Sequence, residues 1–190
     1  MRTVKRDLLV LGSLLLLGML ALTGCTPEPT PRASETSVPT DAPVFASDEE
    51  ALAAATEAYA AYLAAGDAAE KSGTLSREHF LSLSSGEAHE SDLSAAASFD
   101  EKGWKQVGST TFDSMTIQSA EINEEEKWEI RVYVCLDVTN SDIVDSSGVP
   151  VSQPDRPLRM PLEVAFVGTD KSSDNFQMTE SRVWSGSNFC

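Results

Sequence analysis

The residue pattern predicts an α+β domain in which N-terminal helices pack on one face of a curved antiparallel sheet of about four strands. Three observations carry this reading. Apolar residues recur at helical spacing up to about residue 102, the period changes to two from Trp104 onward, and turn-forming clusters separate the alternating runs. Helices first and consecutive strands afterwards is the order of an α+β chain, with the helices gathered on one side of the sheet.

Ser47-Asp48-Glu49-Glu50 reads as a capping box, with Ser47 as N-cap and Glu50 reaching back, and the acidic residues suit the positive end of a helix dipole. The helix is expected to run to about Ala65. Leu52, Ala55, Tyr59, Tyr62 and Leu63 form its apolar stripe, and Gly66-Asp67 is expected to stop it. A short helix around Arg77 to Leu83 presents Phe80, Leu81 and Leu83, and Gly86 separates it from the next. The third helix, about Glu87 to Lys102, carries Leu93, Ala96, Ala97 and Phe99, with Gly103 where a left-handed C-cap belongs.

Met115, Ile117 and Ser119 alternate with Thr116, Gln118 and Ala120, and Asn123-Glu124-Glu125-Glu126 makes a turn. Trp128 to Val138 is the clearest strand, with Trp128, Ile130, Val132, Val134, Leu136 and Val138 on one face. Its other face carries Arg131, Tyr133, Cys135, Asp137 and Thr139, a half-polar row suited to lining a cavity or to lying against the C-terminal segment. A loop with Pro150, Pro154 and Pro157 follows, then a strand from Leu158 to Gly168 and a last one through Phe176, Met178, Val183 and Trp184.

Ahead of this domain stand a basic start, Arg2, Lys5 and Arg6, and an apolar run of about fifteen residues from Leu8 to Leu22, short for a membrane span. The run ends in Leu22-Thr23-Gly24-Cys25. This stretch resembles the lipobox of bacterial lipoproteins: Leu, a small residue, Gly or Ala, then Cys. The resemblance implies that residues 1–24 are a signal peptide, that Cys25 takes a diacylglyceryl thioether, and that Cys25 becomes the mature N-terminus on the extracytoplasmic face of the cell membrane. Two or more acyl chains, at about 0.8 kcal/mol per buried methylene, hold such a protein stably. Residues 25–46 then form the lipidated cysteine and a tether rich in proline (Pro27, Pro29, Pro31, Pro39 and Pro43), which would reach roughly 65 Å if fully extended. Residues 47–190 form the single domain, a common size for one hydrophobic core.

Once Cys25 is consumed by lipid, Cys135 and Cys190 remain as an even pair in an oxidising compartment and are expected to bridge, closing a loop worth about 4 kcal/mol at most. The whole chain carries a formal charge of −16, and loss of Arg2, Lys5, Arg6 and Asp7 with the signal takes it to −18. Phosphate backbones are bound by neutralising their charge, so nucleic acid and anionic head groups are excluded as partners. The acidic surface keeps an exported domain soluble.

The helices, Trp104, the long strand containing Cys135 and a closing strand after a proline loop look like the NTF2-like cone, in its SnoaL-like branch. That resemblance implies the fold and, through the open sheet face, a homodimer. It transfers no chemistry, because the cone serves carriers, isomerases and plain interaction modules alike.

Catalytic candidates are few. His79 and His89 lack partners at metal spacing. Asp137, Asn140, Asp142 and Asp145 gather oxygen ligands but miss the EF-hand spacing, and no glycine-rich phosphate loop, Gly-x-Ser-x-Gly elbow or HExxH occurs. No metal or cofactor is expected. Tyr133 and Asp137, two alternations apart on one strand face, are the pair that an isomerase-type or lyase-type cone would use as phenol and pocket carboxylate. The sequence therefore favours a noncatalytic module that binds a small apolar ligand or another envelope protein. The alternative is a small-molecule lyase or isomerase built on Asp137.

Overall fold

The computed structural model describes residues 45–72 and 74–190, so the signal segment, Cys25 and the tether up to residue 44 lie outside the described residues. Among the described residues three helices come first: α1 (Asp48–Ser72), α2 (Thr74–Ser82) and α3 (Gly86–Lys102). Six strands follow: β1 (Lys105–Gly108), β2 (Thr111–Ile122), β3 (Trp128–Asp137), β4 (Ser141–Val144), β5 (Arg159–Gly168) and β6 (Phe176–Val183). β2, β3, β5 and β6 form a four-stranded antiparallel sheet in that order, and β1 pairs with β4 in a separate two-stranded sheet. This is the α+β architecture that the periodicity predicts.

α1 starts where the capping box places it. The Ser47 hydroxyl accepts the Glu50 amide at 3.3 Å, and the Glu50 carboxylate accepts the amide of Ala46 at 2.7 Å. The helix does not stop at Gly66 but continues for 25 residues in all. Gly66 has a different use: a Cβ there would stand 3.3 Å from the Phe80 ring, so the missing side chain lets α2 approach α1. Asp67, one residue on, accepts the Gln106 side-chain amide at 2.7 Å and the Thr110 amide at 3.2 Å, which fastens α1 to the segment entering the sheet.

The inner face of the sheet is built by strict alternation. Ile130, Val132 and Val134 of β3, Leu162, Val164 and Phe166 of β5, and Phe176 and Met178 of β6 meet Ala51, Ala55 and Tyr59 of α1 in one buried cluster. Each large side chain removed from water here contributes about 1.5–3 kcal/mol. β2 departs from alternation. Its register shifts between Asp113 and Thr116 and again between Ile117 and Ser119, and Ser114 takes φ 54°. These bulges put Phe112, Met115, Ile117 and Ala120 against the core, where unbroken alternation predicts Met115, Ile117 and Ser119. A bulge bends and twists its strand, so β2 wraps toward α1.

α3 is capped as predicted, with Gly103 at φ 66° and its N–H bonded to the Asp100 and Phe99 carbonyls. Its stripe differs from the expected one. Leu93 is 46% exposed, and Ala88, Asp92 and Phe99 lie on the inward side. Phe45, just ahead of α1, packs edge-on against Trp128 and stacks on Phe176, with ring centroids 5.1 and 5.7 Å apart. No helix among the described residues is long and apolar enough to cross a membrane.

Candidate functional site

The row opposite the core face of β3 lies against the C-terminal segment. Tyr133 meets the ring of Trp184 edge-on at 4.9 Å and that of Phe189 at 6.1 Å, and Cys135 is joined to Cys190 as a disulfide with the two Cα atoms 5.5 Å apart. Cys135 is fully buried, whereas Cys190 is exposed. Glu129 and Glu180 share Arg131, and Glu180 also lies 3.5 Å from Arg182.

Asp137, the carboxylate named as a catalytic candidate, is held by two partners. One oxygen accepts the Thr139 amide at 2.8 Å, and the other pairs with Arg159 at 2.9 Å. Hydrogen bonds from Thr139 in the first place, and then the Arg159 guanidinium, hold its carboxyl below the usual carboxylate range. A general base near neutral pH needs desolvation that raises its pKa, and this carboxylate is a half-buried anion paired with Arg159.

The concave side, where a cone would hold a substrate, is filled with side chains. Tyr59 is 2% exposed and is bracketed edge-on by Phe112 at 5.0 Å and Phe166 at 6.3 Å. Burial pushes its phenol well above the ordinary value. The body of the ring takes the place of a cavity.

One open space lies where the three helices converge. Gly66 and Ala69 of α1, Phe80 of α2, Asp92, Ala96 and Phe99 of α3 line much of a half-open cavity of about 120 Å³, with Arg77 and Gln106 also on its wall. Asp92 sets its character. Tyr62 of α1 donates to its Oδ1 at 2.7 Å and Ser84, in the α2–α3 connection, donates to its Oδ2 at 2.6 Å. Burial, and then the hydrogen bond to Asp92 and its charge, push the Tyr62 phenol far up, so Tyr62 remains a donor throughout the physiological range. Ser84 is 3% exposed and also lies 3.4 Å from Nδ1 of His89, which in turn sits 3.0 Å from the Leu81 carbonyl. His79 stands exposed on α2 and apart from this network. Among the described residues, no three His, Cys, Asp or Glu side chains gather closely enough to hold a metal ion.

Sequence reasoning passed over Asp92. The available signal was its place in the stripe Ala88, Asp92, Ala96, Phe99, a single carboxylate at helical spacing among apolar residues. Its hydroxyl partners lie eight and thirty positions away, and no spacing rule joins them.

No family model matches this chain, and no curated protein does. Solved structures are similar at low identity. The intermembrane space region of the chloroplast protein ARC6 is 11% identical, with a TM-score of 0.47 over 70% of this chain and 95% of that one. A periplasmic fragment of TraM is 12% identical, with a TM-score of 0.47 over 74% of this chain and 100% of the fragment. Aln2 from a Streptomyces species is 14% identical, with a TM-score of 0.39 over 70% of this chain and 89% of that one. At these scores the likenesses carry no statement about what this chain does.

Proposed function

We propose that this chain is an exported lipoprotein, anchored through Cys25 to the extracytoplasmic face of the cell membrane, whose domain is a noncatalytic binding or envelope-interaction module. The observation that carries the noncatalytic part is the filled concave face, with Tyr59 buried between Phe112 and Phe166 where a substrate would lie. The ion pair of Asp137 with Arg159 supports it, because that pair keeps the carboxylate named as the catalytic candidate ionised. The disulfide between Cys135 and Cys190 suits an oxidising compartment. A homodimer through the outer sheet face would have to accommodate the segment from Trp184 to Cys190, which lies over Tyr133.

The anchor is tested by growing a bacterial host that expresses the full chain on an alkyne-bearing palmitate analogue. The wild type is expected to take up label and to sediment with membranes, and Cys25→Ala to lose the label. Equal labelling of the two, or an unlabelled wild type, would sink the lipoprotein reading.

A further inference from the structure

We propose that the cavity between α1, α2 and α3 is a binding site for a small ring-sized organic amine, its ammonium seated on Asp92 and its apolar body lying between Phe80 and Phe99. This deepens the reading of the domain as a binding module and rests on it.

Three observations converge. The first is the carboxylate itself. Asp92 accepts hydroxyl hydrogen bonds from Tyr62 and Ser84, one on each oxygen, and among the described residues it has no cationic partner. Each carboxylate oxygen retains a second lone-pair site, so the negative charge on the cavity wall is held in place with no cation bonded to it among the described residues. Neutral donors fix its orientation without consuming that charge.

The second is the wall. Phe80 and Phe99 line the same space with Gly66, Ala69 and Ala96, small residues that leave room for a ring. Aromatic faces attract cations through their quadrupole and cover apolar atoms equally well, so an amine with a hydrocarbon body meets a suitable surface at both ends. Arg77, the cation on this wall, is held in a two-pronged pair with Asp100 at 2.6 and 3.1 Å, which offsets its repulsion of an ammonium.

The third is size. The cavity of about 120 Å³ is of the order of the engineered apolar cavity of about 150 Å³ that takes up benzene. It is well below the roughly 300 Å³ of a drug-sized site. One ring with a short amine arm fits, and a steroid-sized or nucleotide-sized ligand does not.

The test is equilibrium binding of benzylamine to the full chain in deuterated detergent, read by saturation transfer from protein to ligand, with benzyl alcohol as the uncharged match. Benzylamine is expected to bind at least tenfold more tightly than benzyl alcohol. Asp92→Asn, which keeps an acceptor for Tyr62 while removing the charge, is expected to weaken benzylamine at least tenfold. Ala96→Leu fills the cavity from α3 and is expected to abolish transfer, which gives a second test should Asp92→Asn fail to fold. Absence of transfer to the wild type, equal binding of amine and alcohol, or full binding by Ala96→Leu would each overturn the site and reduce Asp92 to a clamp between helices. Conversion of benzylamine to a new compound during the titration would instead sink the noncatalytic reading and leave the site standing.

Discussion

Asp137 and Arg159 face each other across the ladder of β3 and β5, and while one guanidinium nitrogen lies 2.9 Å from Asp137, the other reaches Asp113 of β2 at 2.8 Å. One arginine thus ties three neighbouring strands at the end where β5 begins. Asp113 is held below the usual carboxylate range by the Ser114 hydroxyl first and then by Arg159, and Asp137 by Thr139 first and then by Arg159.

A carboxylate whose folded pKa is depressed contributes stability that is present above its unfolded value and lost as pH falls through the folded one. The ordinary value is 3.8 for both aspartates. Melting temperature is therefore expected to stay level between pH 7 and 5 and to fall below about pH 4. Because both pairs keep contact with water, added salt should shrink the effect, more for the exposed Asp113 than for the half-buried Asp137. Arg159→Ala should flatten the acid limb relative to wild type in a series of thermal melts, and superimposable limbs would contradict this account.

Tyr59 fills the concave side, and truncating it leaves a void lined by Phe112 and Phe166 that α1 cannot collapse without lifting off the sheet. Tyr59→Ala should cost about 3–5 kcal/mol, a fall of roughly 10 °C or more in melting temperature for a domain of this size. Glu57→Gln, on the exposed side of the same helix, should change stability by less than about 0.5 kcal/mol. Denaturant titration of the two variants decides the point.

Where one residue's chemistry and the local period agree, the sequence was readable. Ser47 and Glu50 cap α1, Gly103 ends α3 in the left-handed region, and the alternating row from Trp128 to Leu136 faces the core. Readings failed where a distant partner decided. Gly66 looks like a helix stop, yet its lack of a side chain serves contact with Phe80, and helix propensity gives way to packing. Ser119 looks inward by count, yet the register shift against β3 between Ile117 and Ser119 moves Ala120 there. β1 and β4, four residues each, are too short to show a period. Asp92 acquires its role only when Tyr62 and Ser84 arrive from other elements.

Gly108 ends β1 at φ +83°, and a Cβ there would stand 1.9 Å from the Asn140 carbonyl oxygen. A main-chain atom cannot swing aside as a side chain can. Gly148 has nearly the same backbone, φ +79°, with nothing within 4 Å of the added carbon. Gly148→Ala should therefore cost only the conformational penalty of about 1 kcal/mol. Gly108→Ala should cost about 3 kcal/mol or more, because β1 must separate from β4. Equal costs for the two would mean that the approach of Gly108 to Asn140 has no energetic weight.

The bridge from Cys135 to Cys190 spans 55 positions, and in the chain-entropy model opening such a loop removes about 4 kcal/mol at most. Its two ends are not equivalent. Cys190→Ser leaves a hydroxyl in water and a free thiol at position 135, where a fully buried cysteine behaves as a small apolar side chain. Cys135→Ser puts the hydroxyl in the buried site instead, which adds about 1–3 kcal/mol for an unsatisfied polar group. Both variants should melt lower than wild type, with Cys135→Ser the less stable, and in Cys190→Ser the emission of Trp184 should shift to the red as the segment leaves Tyr133. Equal stability of the two variants would mean that position 135 tolerates a polar atom. An unshifted Trp184 would mean that its contacts with Tyr133, together with the bond from its amide to the Pro161 carbonyl at 2.8 Å, hold the segment without the bridge.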